Sequence, residues 1–268
     1  MEKGERRRVW ELDFLRGFAI IMMVYDHIMY DLKSLPNWFS NFEAVNNPVI
    51  EFLSRIALGY WVSLAREIGH PIFVAIFLLV SGISFNFSRS NLKRGLKFLV
   101  VAVLISLVTY TVQWATGGSL RIGILFGIIH MFAFGTLLLW LLRKIWNNDL
   151  FILAVGLGII GLGISFHFWE VEYVQNPSLR DIPALMLGVK GTGADFFGIA
   201  PYAGVIMVGS ALGKLLYPKP ESLLPGFDKG WNRPFKFAGR HSFLIFITHQ
   251  AVVFSLVYAL MSILGYRM

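Results

Sequence analysis

The chain has 268 residues, 56% of them hydrophobic, no cysteine and a formal charge of +8. The missing cysteines exclude disulfides, thiolate metal sites and any route through a cysteinyl thioester. The basic residues are scattered over loops between apolar runs, which excludes the continuous basic stripe of a nucleic-acid binder.

Those apolar runs are about twenty residues each, enough to cross a hydrocarbon core about 30 Å thick. The expected fold is therefore all-α, a polytopic transmembrane helix bundle forming one domain over residues 1–268. The opening "EKGERRR" followed by an apolar segment imitates a secretory signal. That segment is long, charged and without a small-residue cleavage site, so it reads as the first membrane helix. About seven spans are expected, at 12–32, 70–88, 98–116, 122–142, 150–168, 195–216 and 241–264. Residues 49–67 carry an apolar face of Val49, Phe52, Leu53, Ile56, Tyr60 and Leu64, and are expected as one amphipathic helix on the outer surface. With these spans, sixteen Lys and Arg fall on the side of the N-terminus and seven on the other, among them Lys33, Arg55, Arg66 and Arg121. The bias places the N-terminus in the cytoplasm of a plasma-membrane protein. Strands are not expected. Gly123/Gly127 and Gly209/Gly213 have the spacing of helix-packing contacts. "GVKGTG" at 188–193 lacks the Lys-Ser or Lys-Thr of a phosphate loop.

The first span, "LDFLRGFAIIMMVYDHIMYDL", holds Asp13, Arg16, Asp26, His27 and Asp31. A charge in the hydrocarbon costs roughly 2.5–3.5 kcal/mol, so such a helix needs partners or a water-filled passage. Arg16 and His27 are eleven residues apart, about three turns and about 16 Å of rise, and share one face. Asp31, four residues beyond His27, is placed to reach the imidazole and fix its tautomer, and Asp13 to pair with Arg16. Asp26 points about 100° away from His27, toward another helix or a substrate. His130 is expected about 12 Å below the outer surface and His249 near the membrane centre, so that both converge with His27 on one cavity. For each of the two, interhelical hydrogen bonding is the alternative. His70 and His167 fall at outer helix ends, and Arg240 and His241 at the inner end.

"LDFLRGFAIIMMVYDH" resembles the first helix of the acyltransferase family 3 proteins, whose motif is an Arg, ten residues and a His; here these are Arg16 and His27. Together with "HIMYDL", "HPIFVAIFLLVSGISFNFSR", "FGIIHMFA", "ADFFGIAPYAGVIMVGSALG" and "GRHSFLIFITHQ", it is similar to the bacterial and archaeal branch of the heparan-alpha-glucosaminide N-acetyltransferase catalytic-domain family. The resemblance implies a transmembrane acyltransferase that moves an acyl group, acetyl in the first instance, from cytoplasmic acyl-coenzyme A to a hydroxyl or amine on a sugar or glycolipid outside. It implies Arg16 and His27 as the functional pair. No histidine lies between Tyr30 and Gly69, where the family's lysosomal enzyme has its catalytic one, which leaves His27 to carry that role.

The chemistry agrees, because acyl transfer needs a base of near-neutral pKa and imidazole supplies one. His27 is either that base or the acyl carrier, with Asp31 orienting it. His130, His249, Asp26 and Asp195 are the candidate acceptor contacts. Arg16, Arg89, Arg94 and Arg240 are the candidate contacts for the coenzyme A phosphates, although topology alone also accounts for the last three. One cavity is expected, with the nucleotide at the cytoplasmic mouth, the thioester near His27 and the acceptor entering past Asp31 and Asp195. No metal is expected, and a homo-oligomer is compatible with the sequence. The rival reading is a proton-coupled transporter with a His/Asp relay, and a further one a non-catalytic assembly subunit.

Overall fold

The computed structural model describes residues 8–118, 122–168, 171–175, 177–192 and 195–268, apart from the side chains of His167 and Leu179. Lys3, Arg6, Arg7 and Arg121, counted in the charge bias, and the His167 ring lie outside the described residues. The described residues pack as two compact units, one made of the residues up to Phe77 together with Pro220–Met268, the other of Leu78–Lys219.

In the first unit, α1 (Trp10–Trp38) is the central rod. Its buried positions Asp13, Gly17 and Ile20 repeat at helical spacing toward one end, and Asp31, Ser34 and Leu35 toward the other. Around it stand α2 (Phe42–Val45), α3 (Pro48–Trp61), the first part of α4 (Leu64–Phe85), α10 (Arg233–Arg240) and α11 (Ser242–Ile263). Helix α10 lies against α1 so closely that a Cβ on Gly17 would overlap the Phe235 carbonyl, and one on Gly239 the Asp13 carbonyl. At the far end of α1, Leu35, Phe39, Phe42, Ile50, Met261 and Tyr266 form a small core. Asn41 and Ser40 add hydrogen bonds to the backbone of 265–267, including Asn41 Nδ2 to Gly265 O at 3.0 Å and Ser40 N to Arg267 O at 2.8 Å.

The expected single helix over 49–67 is two helices. Ser63 ends one and starts the next, its hydroxyl donating to Tyr60 O and accepting from Arg66 N. Helix α3 turns Ile50, Ser54 and Ala57 inward, so the expected apolar face, with Val49, Phe52 and Ile56, is exposed.

The second unit contains the end of α4, α5 (Asn91–Ala115), α6 (Ile128–Ile145), α7 (Asp149–Phe168), α8 (Ile182–Leu187) and α9 (Tyr202–Leu216). Gly209 and Gly213 let α9 press on Leu79 and Ile83 of α4, and Gly156 and Gly204 bring α7 against α9. Two short strands, β1 (Glu172–Tyr173) and β2 (Lys190–Gly191), pair in parallel, contrary to the expectation of none; they lie between helices, not within one. Beside them the Lys190 ammonium and the Ser178 hydroxyl and N–H hold the Asp181 carboxyl far below the usual carboxylate range.

Among the described residues, five helices are long and apolar enough to cross a membrane: Leu64–Phe85, Asn91–Ala115, Ile128–Ile145, Asp149–Phe166 and Ser242–Ile263. Helix α1, at 29 residues, has the length, and its ionisable residues set it apart from that group. Two expected spans are shorter as helices than their apolar runs. Before α6, the N–H groups of Gly123 and Ile124 bond sideways to Gln113 and Thr109 of α5, so Gly123 and Gly127 lie outside the helix and the expected small-residue pair is not a helical one. Before α9, Ile199 and Ala200 donate to the carbonyls of Met186 and Leu187 at the end of α8, and only Tyr202–Leu216 is helical.

Candidate functional site

The site residues expected on α1 divide into two groups, one near its N-terminus, the inner end in the expected topology, and one past its middle, toward the expected outer end. At the inner end Asp13 Oδ1 accepts from Arg16 at 3.1 Å, the pairing expected from the i,i+3 spacing. Arg240 of α10 and Arg8 approach the other oxygen, Oδ2, at 3.6 and 3.8 Å. Three guanidinium groups around one buried carboxylate leave an excess of positive charge where Arg16 and Arg240 were expected to meet phosphate.

The outer group is built on α1 and α11. His27 Nδ1 lies 2.9 Å from the Met23 carbonyl. A carbonyl only accepts, so Nδ1 carries the proton, and Nε2 is the nitrogen that bears the lone pair of a neutral ring. His249 is held in the same way, Nδ1 lying 2.8 Å from Phe246 O and 3.1 Å from Ile245 O. The two rings meet edge to face with centroids 4.7 Å apart. The expected bond between Asp31 and His27 is not the one formed. Asp31, wholly buried, accepts from Gln250 Nε2 at 3.0 Å, because α11 brings an amide to the carboxylate while the His27 ring is turned back along its own helix. Asp31 Oδ2, His249 Nε2 and Gln250 Oε1 are buried without a hydrogen-bond partner among the described residues.

Asp26 faces α3 and α4. It takes a two-pronged bond from Arg66, Nε to Oδ1 at 2.8 Å and Nη2 to Oδ2 at 3.2 Å, and a third from Tyr60 at 3.1 Å. Arg66 in turn stacks on Trp61, 3.4 Å from the ring centroid. Both carboxylate oxygens are thus committed inside the protein, and the acceptor contact expected of Asp26 finds them taken.

Four of the expected residues belong to the second unit. His130 is the third residue of α6, in its first turn rather than deep in a span, because the helix starts at Ile128. Gly127 N–H donates to its Nδ1 at 3.2 Å, which leaves the proton on Nε2 to be donated to Ser106 Oγ at 3.0 Å; Ser106 passes its own proton to Ile124 O. Both ring nitrogens are therefore used in holding the helix start. Asp195 Oδ2 accepts from Ile128 N at 3.3 Å, another N-terminal cap of α6. Arg94 donates to Ser81 Oγ at 2.7 Å and lies over Phe98, and Arg89 is exposed in the connection between α4 and α5.

Sequence reasoning missed Gln250, Arg66 and Ser106 as partners. Gln250 carried the one available signal, an amide next to a histidine in an otherwise apolar span, "FLIFITHQAVVF".

The family model of the heparan-alpha-glucosaminide N-acetyltransferase catalytic domain matches residues 8–251. The chain belongs to this family. The match runs from the first residues of α1 through His249 and Gln250 and so includes both histidines of the outer group. Neither the comparison with curated proteins nor that with solved structures gives a match. With five helices of membrane length, membership of an N-acetyltransferase family makes this chain a multi-pass membrane acetyltransferase.

Proposed function

We propose that the protein transfers an acetyl group from cytoplasmic acetyl-coenzyme A to a hydroxyl or amine of a sugar or glycolipid on the far side of the plasma membrane, with His27 as the general base. The observation that carries this reading is the tautomer of His27. Its Nδ1–H is tied to Met23 O, so the nitrogen left over, Nε2, is a base with its lone pair available. Arg16 stands on the same helix eleven residues away, about 16 Å toward the inner end, a span that an extended pantetheine arm covers. In the reaction the acceptor's O–H or N–H bond breaks and its proton goes to Nε2. The freed oxygen or nitrogen bonds to the thioester carbon, and the C–S bond breaks. The coenzyme A thiolate then takes the proton back from the ring.

Arg16 and Arg240 would meet the phosphates at the inner mouth, with Arg89 and Arg94 as further contacts on that side, and seven spans would put the N-terminus in the cytoplasm. His130 and Asp195 support this reading least, since each is committed to the start of α6.

The test is direct because the chain has no cysteine, so a thiol reagent reports only released coenzyme A. Purified protein should bind acetyl-coenzyme A and release the thiol in the presence of glucosamine. His27→Ala should keep its donor affinity and lose on the order of 10²–10⁴-fold in rate. A wild-type protein with no affinity for any acyl-coenzyme A, or a His27→Ala variant of undiminished rate, would sink the reading.

A further inference from the structure

We propose that His27 and His249 work as one base that holds a single proton between them, and that Gln250 is the positioning residue that tunes this base through Asp31. The inference rests on His27 acting in acetyl transfer, as above, and goes beyond it by assigning roles to α11.

The geometry has three parts. Both imidazoles are tied through Nδ1–H to carbonyls of their own helices, so the nitrogen each ring has left over is Nε2. The rings are 4.7 Å apart and 79° inclined, an arrangement in which the edge of one, once protonated, meets the electron-rich face or lone pair of the other. The third part is the shortage of donors. The buried polar atoms left without a partner here, Asp31 Oδ2, His249 Nε2 and Gln250 Oε1, are all acceptors. A buried acceptor without a donor is unfavourable, so the cluster is completed by a proton, not by another lone pair.

The charges around the pair set how many protons it holds. On α1 Asp31 contributes one negative charge, and Asp26 is neutralised by Arg66 of α4. On α4 His70 is within electrostatic reach of His27, and on α11 Gln250 is uncharged. Arg16 is about three turns away and already paired with Asp13. One proton on the pair therefore brings the cluster to neutrality; a second would leave a net positive charge in the hydrocarbon.

In the transfer step the acceptor's proton moves to His27 Nε2 as its X–H bond breaks and the bond from X to the acyl carbon forms. His249 shares the resulting positive charge until the coenzyme A thiolate, freed by C–S cleavage, removes the proton. Gln250 acts at one remove: its Nε2–H occupies one oxygen of Asp31 and so limits how strongly that carboxylate draws the proton.

The experiment compares wild type, His249→Gln, Gln250→Leu and Gln250→Glu in acetyl-coenzyme A turnover with glucosamine across pH. His249→Gln should keep its thermal midpoint and its KM for acetyl-coenzyme A, lose about tenfold to hundredfold in kcat, and show its acid limb moved to lower pH. Gln250→Leu frees the Asp31 carboxylate and should move the acid limb to higher pH. Gln250→Glu should move it the same way and further. Opposite shifts from neighbouring residues are not what a merely structural role gives. In parallel, ¹⁵N spectra of histidine-labelled wild type should show both rings in the Nδ1–H form at neutral pH and one shared protonation on acidification. This arm needs no turnover, so it judges the pair even where acetyl transfer itself is not seen. Two rings titrating independently, or a His249→Gln variant with the kcat and pH profile of wild type, would overturn the proposal.

Discussion

At the scale of single residues, the contrast is between carboxylates that are finished and one that is not. Asp26 has both oxygens filled by Arg66 and Tyr60, while Asp31 has only Gln250. Removing one partner of a buried ion pair leaves the other charge uncompensated, at a cost of about 3–5 kcal/mol. Arg66 is one-fifth exposed in its side chain, so the lower end applies, and Arg66→Ala should lower stability by about 3 kcal/mol in thermal unfolding. The double variant Asp26→Leu/Arg66→Met should recover most of that loss. If it is no more stable than Arg66→Ala alone, the pair is not the origin of the effect. The Asp13–Arg16 contact was legible in the sequence because three residues of helix place both groups on one side whatever surrounds them. The partner of Asp31 was not, because it arrives from 219 positions away and prevailed over the local candidate four residues off. The same holds for Asp26, whose direction was readable but whose partners on α3 and α4 were not.

At the scale of elements, the crossing of α1 and α10 is the tightest in the first unit, with glycine on both sides. A methyl group at either position would meet backbone carbonyl, which cannot rotate away as a side chain can. Gly17→Ala or Gly239→Ala should therefore cost at least the roughly 1–3 kcal/mol of an overpacked site, seen as a lowered thermal midpoint. Gly226→Ala, with open space around its Cβ, is the control and should change little. A Gly17→Ala protein as stable as the control variant would contradict the packing. The helices themselves were readable from their apolar runs, and their ends were the weak point. Ser63 divides 49–67, and side chains of α5 draw 123–124 out of α6, because in each case a hydroxyl or amide offers the backbone a competing bond. That is also why His130, expected about 12 Å below the outer surface, sits in a first turn with its ring bonded to Gly127 N–H and Ser106. Nothing in "FGIIHMF" alone marks Gly127 as the start of a helix.

At the scale of the whole molecule, the five apolar helices and the charge bias together make a statement about sides. The connection after α4, with Arg89, should face the cytoplasm, and the strands after α7, with Glu172, should face outward. Since the chain has no cysteine, Arg89→Cys and Glu172→Cys each introduce one unique thiol. In intact cells a membrane-impermeant maleimide should label Cys at 172 and leave Cys at 89 until the membrane is opened. Labelling of both from the same side would remove the basis for the seven-span topology. The core of Leu35, Phe39, Phe42, Ile50, Met261 and Tyr266, with Asn41 and Ser40 bonded to 265–267, bears on how the outer site moves. It rivets the far ends of α1 and α11 to each other, about two turns beyond His27 and about three beyond His249. Two rods joined in this way cannot slide past one another in register. The two imidazoles, 4.7 Å apart between their centroids, are thereby held in one register, like teeth cut in the fixed jaw of a vice.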